Sequence, residues 1–349
     1  MKLPETRTQA IKRLFPGTPQ FRLKQLGVAL FDTSISDWND VSTLPKDMRD
    51  KLKSEQVPMI SVKKVKQFES KNLDTYKAVL RTVDKRNFET VLMSNRRGQW
   101  TICVSSQIGC AMRCTFCATG TMGLTRSLTS DEIVDQYRYW QQFLATKPAL
   151  PQRISNVVFM GMGEPLANYD NLKETIHIWL TYTDLGPTKI TVSTVGVLSQ
   201  LKKLLSDPEW PPVKIAVSLH SANQKRREEI VPTTVPSFLK DLAAWSHEYH
   251  KLKGNRSHHI TYEYVLLTGV NDTPEVAKEL ATYIKKTAVS KVNVIPYNAV
   301  AGKDFTRSDN ERIERFKQVL RDHGVDVTQR KTMGDDIDAA CGQLALSTE

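Results

Sequence analysis

The chain has 349 residues, of which 40% are hydrophobic, and carries a formal net charge of +11 at pH 7. This composition supports one large buried core, or one large and one small, and excludes a mainly disordered chain. It contains no run of the roughly 20 apolar residues that a membrane span needs, and its first residues lack the apolar core of a secretory signal. We therefore expect a cytoplasmic protein that does not cross a membrane.

The positive charge is concentrated in the first 100 residues. They hold 20 Lys and Arg against 11 Asp and Glu, which is +9 of the +11. Such a surface suits an anionic partner, and a solvated basic surface without a partner would have the same composition. A basic module beside a near-neutral remainder favours a substrate-binding part joined to a catalytic part.

Residues 1–88 are predicted to form a small accessory region. Amphipathic helices are expected at residues 9–14, 21–31 and 46–52 and short strands at residues 62–66 and 78–83, and a further short strand is expected just beyond this region, at residues 90–93. A polar turn at residues 94–98 follows. We therefore divide the chain into an accessory region, residues 1–88, and a core, residues 89–349.

The core alternates apolar strands with amphipathic, helix-length segments. Strands are predicted at residues 100–105, 154–160, 189–195, 213–219, 259–267 and 291–297. Helices are predicted at residues 130–143, 171–180, 237–249 and 275–285. This alternation predicts a parallel sheet covered by helices, as in a partial (β/α)6 barrel of the TIM type, with an open doubly wound sheet as the alternative. Both folds place an active site at the carboxyl ends of the strands.

Three cysteines follow the first core strand with the spacing C-x3-C-x2-C: Cys110, Cys114 and Cys117. Three thiolates on one loop suit a [4Fe–4S] cluster whose fourth iron has no protein ligand. Zinc is the competing interpretation, but a structural zinc needs a fourth ligand, which Cys103 or a histidine would have to supply. Five cysteines in a chain of this size do not indicate a disulfide scaffold.

Polar residues and glycines also follow the later core strands, where the predicted fold places its chemistry. They are Gly163 and Glu164 in a Gly-Met-Gly-Glu-Pro segment, Ser193, the run Ser218, Leu219 and His220, and Asn298. Glycine lets a ligand approach the backbone closely, and a carboxylate can accept hydrogen bonds from an ammonium group.

The cysteine spacing, with an aromatic residue before the third cysteine, resembles the signature of the radical S-adenosylmethionine (SAM) superfamily. In that superfamily the open iron binds SAM, and reduction of the cluster yields a 5′-deoxyadenosyl radical. The resemblance implies that Gly163 and Glu164 bind the methionine part of SAM. It also implies that Ser193, Ser218, Leu219, His220 and Asn298 contact SAM.

The other two cysteines extend the resemblance to the RlmN/Cfr family of RNA methyltransferases, from about residue 21 to the end. Cys103 lies in the segment CVSSQIGC, and Cys341 lies in RKTMGDDIDAACGQL. The resemblance implies that Cys341 is methylated by one SAM and that the radical from a second SAM activates this methyl group for attack on adenine. Cys103 would then release the product by forming a transient disulfide with Cys341. By the same resemblance, Glu89 is the proton acceptor at the ring carbon.

Adenine C2 is an amidine carbon and is not nucleophilic, so its methylation needs a radical route. Residues 163–166 and 330–336 follow the RlmN pattern, which favours C2 of an adenosine in 23S rRNA over the C8 attack of Cfr-type members. The adenosine beside the tRNA anticodon is a possible second substrate. The family also implies a flavodoxin-type electron donor, and we expect a monomer.

Two hypotheses from other classes stay open at this point. A radical SAM enzyme acting on a small molecule or a protein would explain the cluster but not Cys103, Cys341 and the basic amino-terminal region. A non-catalytic iron–sulfur or zinc protein that binds RNA would explain the charge but not the Gly-Met-Gly-Glu-Pro segment.

Overall fold

The amino-terminal region consists of three helices in the computed structural model, which describes residues 3–95, 97–254, 260–289 and 291–346. The helices are α1 (Arg7–Leu14), α2 (Gln20–Leu30) and α3 (Lys46–Ser54). Thr6 caps α1 in a capping box with Gln9, a pairing that satisfies free backbone donors at a helix start. The three predicted helices are thus present, within a few residues of their predicted ends.

The described residues form twelve strands. They are β1 (Val62–Glu69), β2 (Thr75–Thr82), β3 (Asn87–Ser94), β4 (Trp100–Cys103), β5 (Gln107–Gly109), β6 (Leu124–Ser127), β7 (Ile154–Phe159), β8 (Ile190–Thr194), β9 (Lys214–Ser218), β10 (Ile260–Leu266), β11 (Lys291–Pro296) and β12 (Asp326–Gln329).

Eight further helices lie after β5. They are α4 (Ala118–Thr121), α5 (Ser130–Ala145), α6 (Tyr169–Tyr182), α7 (Leu198–Ser206), α8 (Gln224–Ile230), α9 (Phe238–Lys253), α10 (Pro274–Ile284) and α11 (Asn310–Asp322). None of the helices that the structure describes is long and apolar enough to cross a membrane.

Ten strands form one sheet in the order β1-β2-β3-β4-β7-β8-β9-β10-β11-β12. The neighbours from β4 to β12 pair in parallel, whereas β1, β2, β3 and β4 pair antiparallel. Within the described ranges, β1 and β12 are the edges of the sheet, so the barrel is open. The prediction of a parallel core with a helical amino-terminal region is confirmed.

The parallel part has seven strands where the sequence predicted six. The added strand is β12, in which only Val327 is buried, so it lacks the apolar run that marked the others. The predicted strand at residues 259–267 is β10, and its first predicted residue, His259, lies outside the described residues.

Two of the three hydrophobic clusters that the described residues form meet in the sequence near residue 60. The helical core contains buried residues from Ala10 to Met59. The main core begins at Val62 and includes buried side chains of β2 and β3, such as Tyr76 and Phe88. Residue 88, the expected domain boundary, lies inside β3, and β1 to β3 belong to the ten-stranded main sheet.

Candidate active site

A pocket of about 970 Å³, partly open to solvent, lies at the carboxyl ends of the parallel strands. We call it the upper pocket. Of the residues predicted to form the site, it is lined by Cys110, Cys114, Cys117, Gly163, Glu164, Ser193, Ser218, His220, Asn298 and Cys341. The fold thus brings together residues that are separated by more than 200 positions in sequence.

The cysteine loop is held by its own backbone at both ends. Cys110 N donates to Gly123 O at 2.9 Å, which joins the end of β5 to the start of β6, and Cys117 N donates to Cys114 O at 3.1 Å. Gly109 has a φ of +76°, and a Cβ there would lie 1.8 Å from Gly123 O, so a side chain cannot be accommodated at this position. These contacts aim the three cysteines at one end of the upper pocket.

Burial keeps the cluster-loop thiols protonated in the absence of a cation. It raises the pKa of Cys110 to about 12 and raises the pKa of Cys114 further, with the neighbouring Cys117 and Cys110 adding to the shift. The pKa of Cys117 is raised as well, again by burial. Such thiols become thiolates when a positively charged group binds them. No three His, Cys, Asp or Glu side chains of the described residues are arranged to hold a single metal ion.

Glu164 is buried, and its carboxylate is bonded to the strand ends around it. Oε2 accepts from Val195 N at 2.8 Å and Oε1 accepts from Leu166 N at 3.0 Å. Burial raises the pKa of Glu164 to about 7, although these bonds favour the charged form. Gly163 has a φ of +99°, and a Cβ there would lie 2.5 Å from Gln107 Cβ, so the glycine also lets β5 approach this strand end.

Leu219 and His220 differ in their relation to the upper pocket. Leu219 is fully buried, and its main chain donates to Glu263 O at 2.9 Å. Leu219 is not among the lining residues of the pocket. His220 Nδ1 accepts from Val265 N at 3.1 Å, and burial together with the charge of Arg227 lowers the pKa of His220 to about 3. His220 is therefore a neutral imidazole at the pocket wall.

A second space of about 1220 Å³, partly open to solvent, is lined by the starts of β8 and β9 and by residues near the ends of β4, β7 and β11, and we call it the lower cavity. Its walls include Cys103, the end residue of β4. The residues that line both spaces are Met160, Ile295, Asn298, Arg330 and Cys341. Cys341 therefore stands in the wall between the upper pocket and the lower cavity.

The two cysteines outside the cluster loop have different environments. Cys341 is exposed, and its carbonyl oxygen accepts from Asn298 Nδ2 at 3.1 Å. Cys103 is buried, and burial and the nearby Cys341 raise its pKa to about 12, although Arg330 acts in the opposite direction. The buried thiol of Cys103 is thus a neutral group facing the same cavity as Cys341.

Comparisons with known proteins agree with this geometry. The model of the radical SAM superfamily matches residues 104–281. A ribosomal RNA large subunit methyltransferase N from Nitrosopumilus maritimus is 39% identical over 337 residues, which cover 94% of this chain and 93% of the relative. A probable dual-specificity RNA methyltransferase RlmN from Aquifex aeolicus is 39% identical over 331 residues, covering 94% and 92%. The crystal structure of a radical SAM methyltransferase from Sphaerobacter thermophilus matches with a TM-score of 0.85 at 36% identity, covering 97% of each chain.

The chain belongs to the RlmN family of radical SAM RNA methyltransferases. Membership implies a [4Fe–4S] cluster and SAM. The three thiols fit the cluster, because they share one loop, line one pocket and require a cationic group to ionise.

Glu89, the expected proton acceptor, lies elsewhere in this RlmN-family chain. It lines neither the upper pocket nor the lower cavity. Its Oε2 accepts from the backbone N–H groups of Ala345 and Leu346 at 2.9 and 3.2 Å, and its Oε1 lies 3.3 Å from Lys77 Nζ. In this arrangement Glu89 holds the segment that follows Cys341.

Two charged residues of the RlmN-family site were not predicted. Arg330 Nε lies 3.4 Å from Glu263 Oε2, and Arg330 Nη1 donates to Met160 Sδ at 2.8 Å. Both residues line the upper pocket, and Arg330 also lines the lower cavity. Glu263 could have been found from the sequence, since it is one acidic residue inside an otherwise uncharged strand, between Tyr262 and Tyr264.

Proposed function

We propose that this enzyme methylates C2 of an adenosine in 23S rRNA, with Cys341 as the carrier of the methyl group. The observation that carries the proposal is the position of Cys341 in the wall shared by the upper pocket and the lower cavity. A carrier between a methyl donor and an acceptor must be reachable from both sides. The names of the relatives from Nitrosopumilus maritimus and Aquifex aeolicus support an RNA substrate.

The cysteine loop would hold the cluster, and the polar strand ends would hold SAM. Cys110, Cys114 and Cys117 are the proposed iron ligands. Gly163, Glu164, Ser193, Ser218, His220 and Asn298 are the proposed SAM contacts, with Leu219 acting through its main chain. Bound together, the cluster and SAM supply a methyl group and a 5′-deoxyadenosyl radical, and we propose that each turnover uses two SAM molecules.

Cys341 and Cys103 carry the protein's part of the reaction. Cys341 loses its thiol proton and takes the methyl group on sulfur, since a thiolate is the natural acceptor in a polar methyl transfer. After the methyl carbon has bonded to adenine, Cys103 loses its thiol proton and its sulfur attacks the Cys341 sulfur. The bond between the Cys341 sulfur and the carbon attached to adenine then breaks, its electron pair stays on that carbon, and a proton taken up there completes the methyl group of the product, while the two cysteines are left as a disulfide. Both residues line the lower cavity, which supports this pairing.

The lower cavity suits a flipped-out nucleotide. Its walls include the apolar side chains of Met93, Val158 and Ile295, and Lys189 and Lys214 stand at the amino-terminal ends of β8 and β9. An adenine base removed from its stack needs an apolar slot, and its phosphates need cations. We propose that the adenosine enters this cavity and that the basic amino-terminal region binds the surrounding RNA.

Three finer assignments belong to the same proposal. Residues 163–166 and 330–336 follow the RlmN pattern, which favours C2 over C8. The dual-specificity name of the Aquifex aeolicus relative supports a tRNA adenosine as a second substrate. A flavodoxin-type electron donor follows from the family resemblance, and we expect a monomer.

The test is anaerobic reconstitution with iron and sulfide, followed by incubation with SAM, a reductant and an rRNA fragment. Nucleoside mass spectrometry should detect 2-methyladenosine. Formation of 8-methyladenosine in its place would overturn the C2 assignment.

Cysteine variants test the two-step route. Cys341→Ala should form no methylated nucleoside, whereas Cys103→Ala should accumulate a covalent protein–RNA adduct through Cys341. Methylation that persists in Cys341→Ala would contradict the proposed carrier.

A further inference from the structure

Arg227, in α8, is a buried cation near the cysteine loop. Only 1% of the surface of Arg227 is exposed to solvent. None of the ion pairs among the described residues includes Arg227. A buried charge without an opposite charge is costly, and the cost calls for a compensating group.

The hydrogen-bond partners of Arg227 are neutral. Nε donates to Leu219 O at 3.1 Å, and Nη2 donates to Val195 O at 2.6 Å and to Ser218 O at 3.2 Å. Nη1 donates to Thr234 Oγ1, and the guanidinium lies 3.5 Å from the ring centre of Phe238. These contacts join the ends of β8 and β9, but they do not neutralise the charge.

The carboxyl-terminal end of α8 packs directly on the cysteine loop. Thr115 N donates to Ile230 O at 2.9 Å, and the side chain of Cys114 lies in one hydrophobic cluster with Ile230 and Val231. Arg227 and Met112 of the cysteine loop line one further pocket. The guanidinium also bonds the carbonyl oxygens of Val195 and Ser218, two residues that line the upper pocket with the three cysteines. Arg227 therefore lies directly behind the strand ends that form the wall of the cysteine pocket.

We propose that Arg227 is the counter-ion of the iron–sulfur cluster and that its positive charge raises the reduction potential of the cluster. Three thiolates give the cluster a net negative charge, and the electron taken from an external reductant makes that charge more negative. A fixed cation nearby favours the reduced state, since cluster potentials respond to net charge and surroundings. The proposal rests on binding of the cluster by the three cysteines and is independent of the RNA substrate.

The test is a potentiometric titration of the reconstituted enzyme, without SAM or RNA, followed by the electron paramagnetic resonance signal of the reduced cluster. Arg227→Gln removes the charge and should lower the equilibrium constant for reduction by about tenfold, which corresponds to about 59 mV for one electron. Arg227→Lys keeps a charge and should retain most of the wild-type potential. The matched control is Arg226→Gln, because Arg226 is the neighbouring arginine and has its own partner, Glu279, at 2.8 Å.

A second variant keeps the proposal testable if Arg227→Gln fails to assemble a cluster. Thr234→Asp places a carboxylate beside the guanidinium while Arg227 keeps its three bonds to the strand ends. The equilibrium constant for reduction of the cluster should fall in this variant, as it should in Arg227→Gln. The proposal is overturned if the equilibrium constant for cluster reduction stays within twofold of the wild-type value in cluster-loaded Thr234→Asp. The same criterion applies to Arg227→Gln if that variant assembles a cluster. Methylation of the wrong nucleoside, by contrast, would refute the proposed function and leave these potentials unaffected.

Discussion

Arg7, in the first helix of the chain, lies 2.7 Å from the carboxylate of Asp135 in α5, and both side chains are buried. Asp135 also pairs with Arg138 at 2.7 Å, and Arg138 Nη1 donates to Met59 O at 2.7 Å. Burial alone would raise the pKa of Asp135, but Arg7 and Arg138 together hold it well below its usual range. This network joins the helical amino-terminal region to the main sheet domain.

Removal of Arg7 should loosen that junction. Arg7→Met leaves part of the charge of Asp135 uncompensated, and breaking a buried pair of this kind costs about 3–5 kcal/mol. We expect a lower midpoint in urea unfolding and faster protease cleavage near residue 60. Arg13→Met is the control, since its pair with Glu5 is about half exposed and such pairs contribute roughly 0–1 kcal/mol. Equal stability of the two variants would contradict a junction held by Arg7.

Substitutions of Glu89 and Lys77 can separate two roles of Glu89, namely accepting the ring proton and holding residues 345 and 346 through their N–H groups. The side chain of Glu89→Gln can still accept hydrogen bonds from the N–H groups of residues 345 and 346 but cannot take up a proton. If Glu89 accepts the ring proton, this variant should keep S-methylation of Cys341 and lose about 100-fold or more in RNA methylation. Protein mass spectrometry of Cys341 and nucleoside mass spectrometry measure the two steps separately.

The Lys77→Met variant tests the anchoring role of this buried pair. It removes the cation 3.3 Å from Glu89 and a bond from Lys77 Nζ to Asp338 O at 3.2 Å. Because it loosens the segment around Cys341, S-methylation and RNA methylation should both fall. RNA methylation near the wild-type rate in Glu89→Gln would leave Glu89 with the anchoring role alone.

The strands were predictable where the chain is buried on both faces. Strands such as β7 and β9 are short apolar runs bounded by polar turns, and they form the parallel core that this pattern predicts. The edge strand β12 escaped prediction because Val327 is its one buried residue. The main sheet also takes in β1 and β2, which the sequence assigned to the accessory region, because local pattern does not reveal which sheet a strand joins.

The part of the site that lies in recognisable sequence motifs could be predicted. The spacing of the cluster cysteines and the polar strand ends identified the lining of the upper pocket. Arg227 was missed because nothing in the local sequence marks a helical arginine as buried, whereas Glu263, the one charged residue of its strand, could have been found. The anchoring of residues 345 and 346 by Glu89 spans more than 250 positions and follows only from the folded chain.

The lysines of the lower cavity should contribute to RNA affinity. Burial, together with nearby Lys189 and Lys291, lowers the pKa of Lys214, so an anion bound there would relieve repulsion. Replacing Lys189, Lys214 and Lys331 together by glutamine should weaken binding of an rRNA fragment. Each lost phosphate contact reduces the slope of log affinity against log salt by about 0.7–0.9, which fluorescence anisotropy at several salt concentrations can measure.

The control for this triple variant replaces three exposed lysines away from both cavities, namely Lys202, Lys278 and Lys286. It keeps the same change in net charge, so it separates local contacts from the general field of the protein. A salt slope that falls equally in both triple variants would show that the lower cavity makes no phosphate contacts.

His220 should make folding stability depend on pH. Its folded-state pKa of about 3 lies below the unfolded value of 6.5, so its neutral form stabilises the fold fully above pH 6.5, and this stabilisation is lost as pH falls toward 3. Asparagine tolerates the φ of +57° at this position and does not titrate. The free energy of unfolding of the wild type relative to His220→Asn should therefore fall by about 1 kcal/mol between pH 6 and pH 5. Urea unfolding at both pH values measures it, with exposed His247→Asn as the control, and a difference that does not change with pH would show that His220 is not buried as a neutral ring.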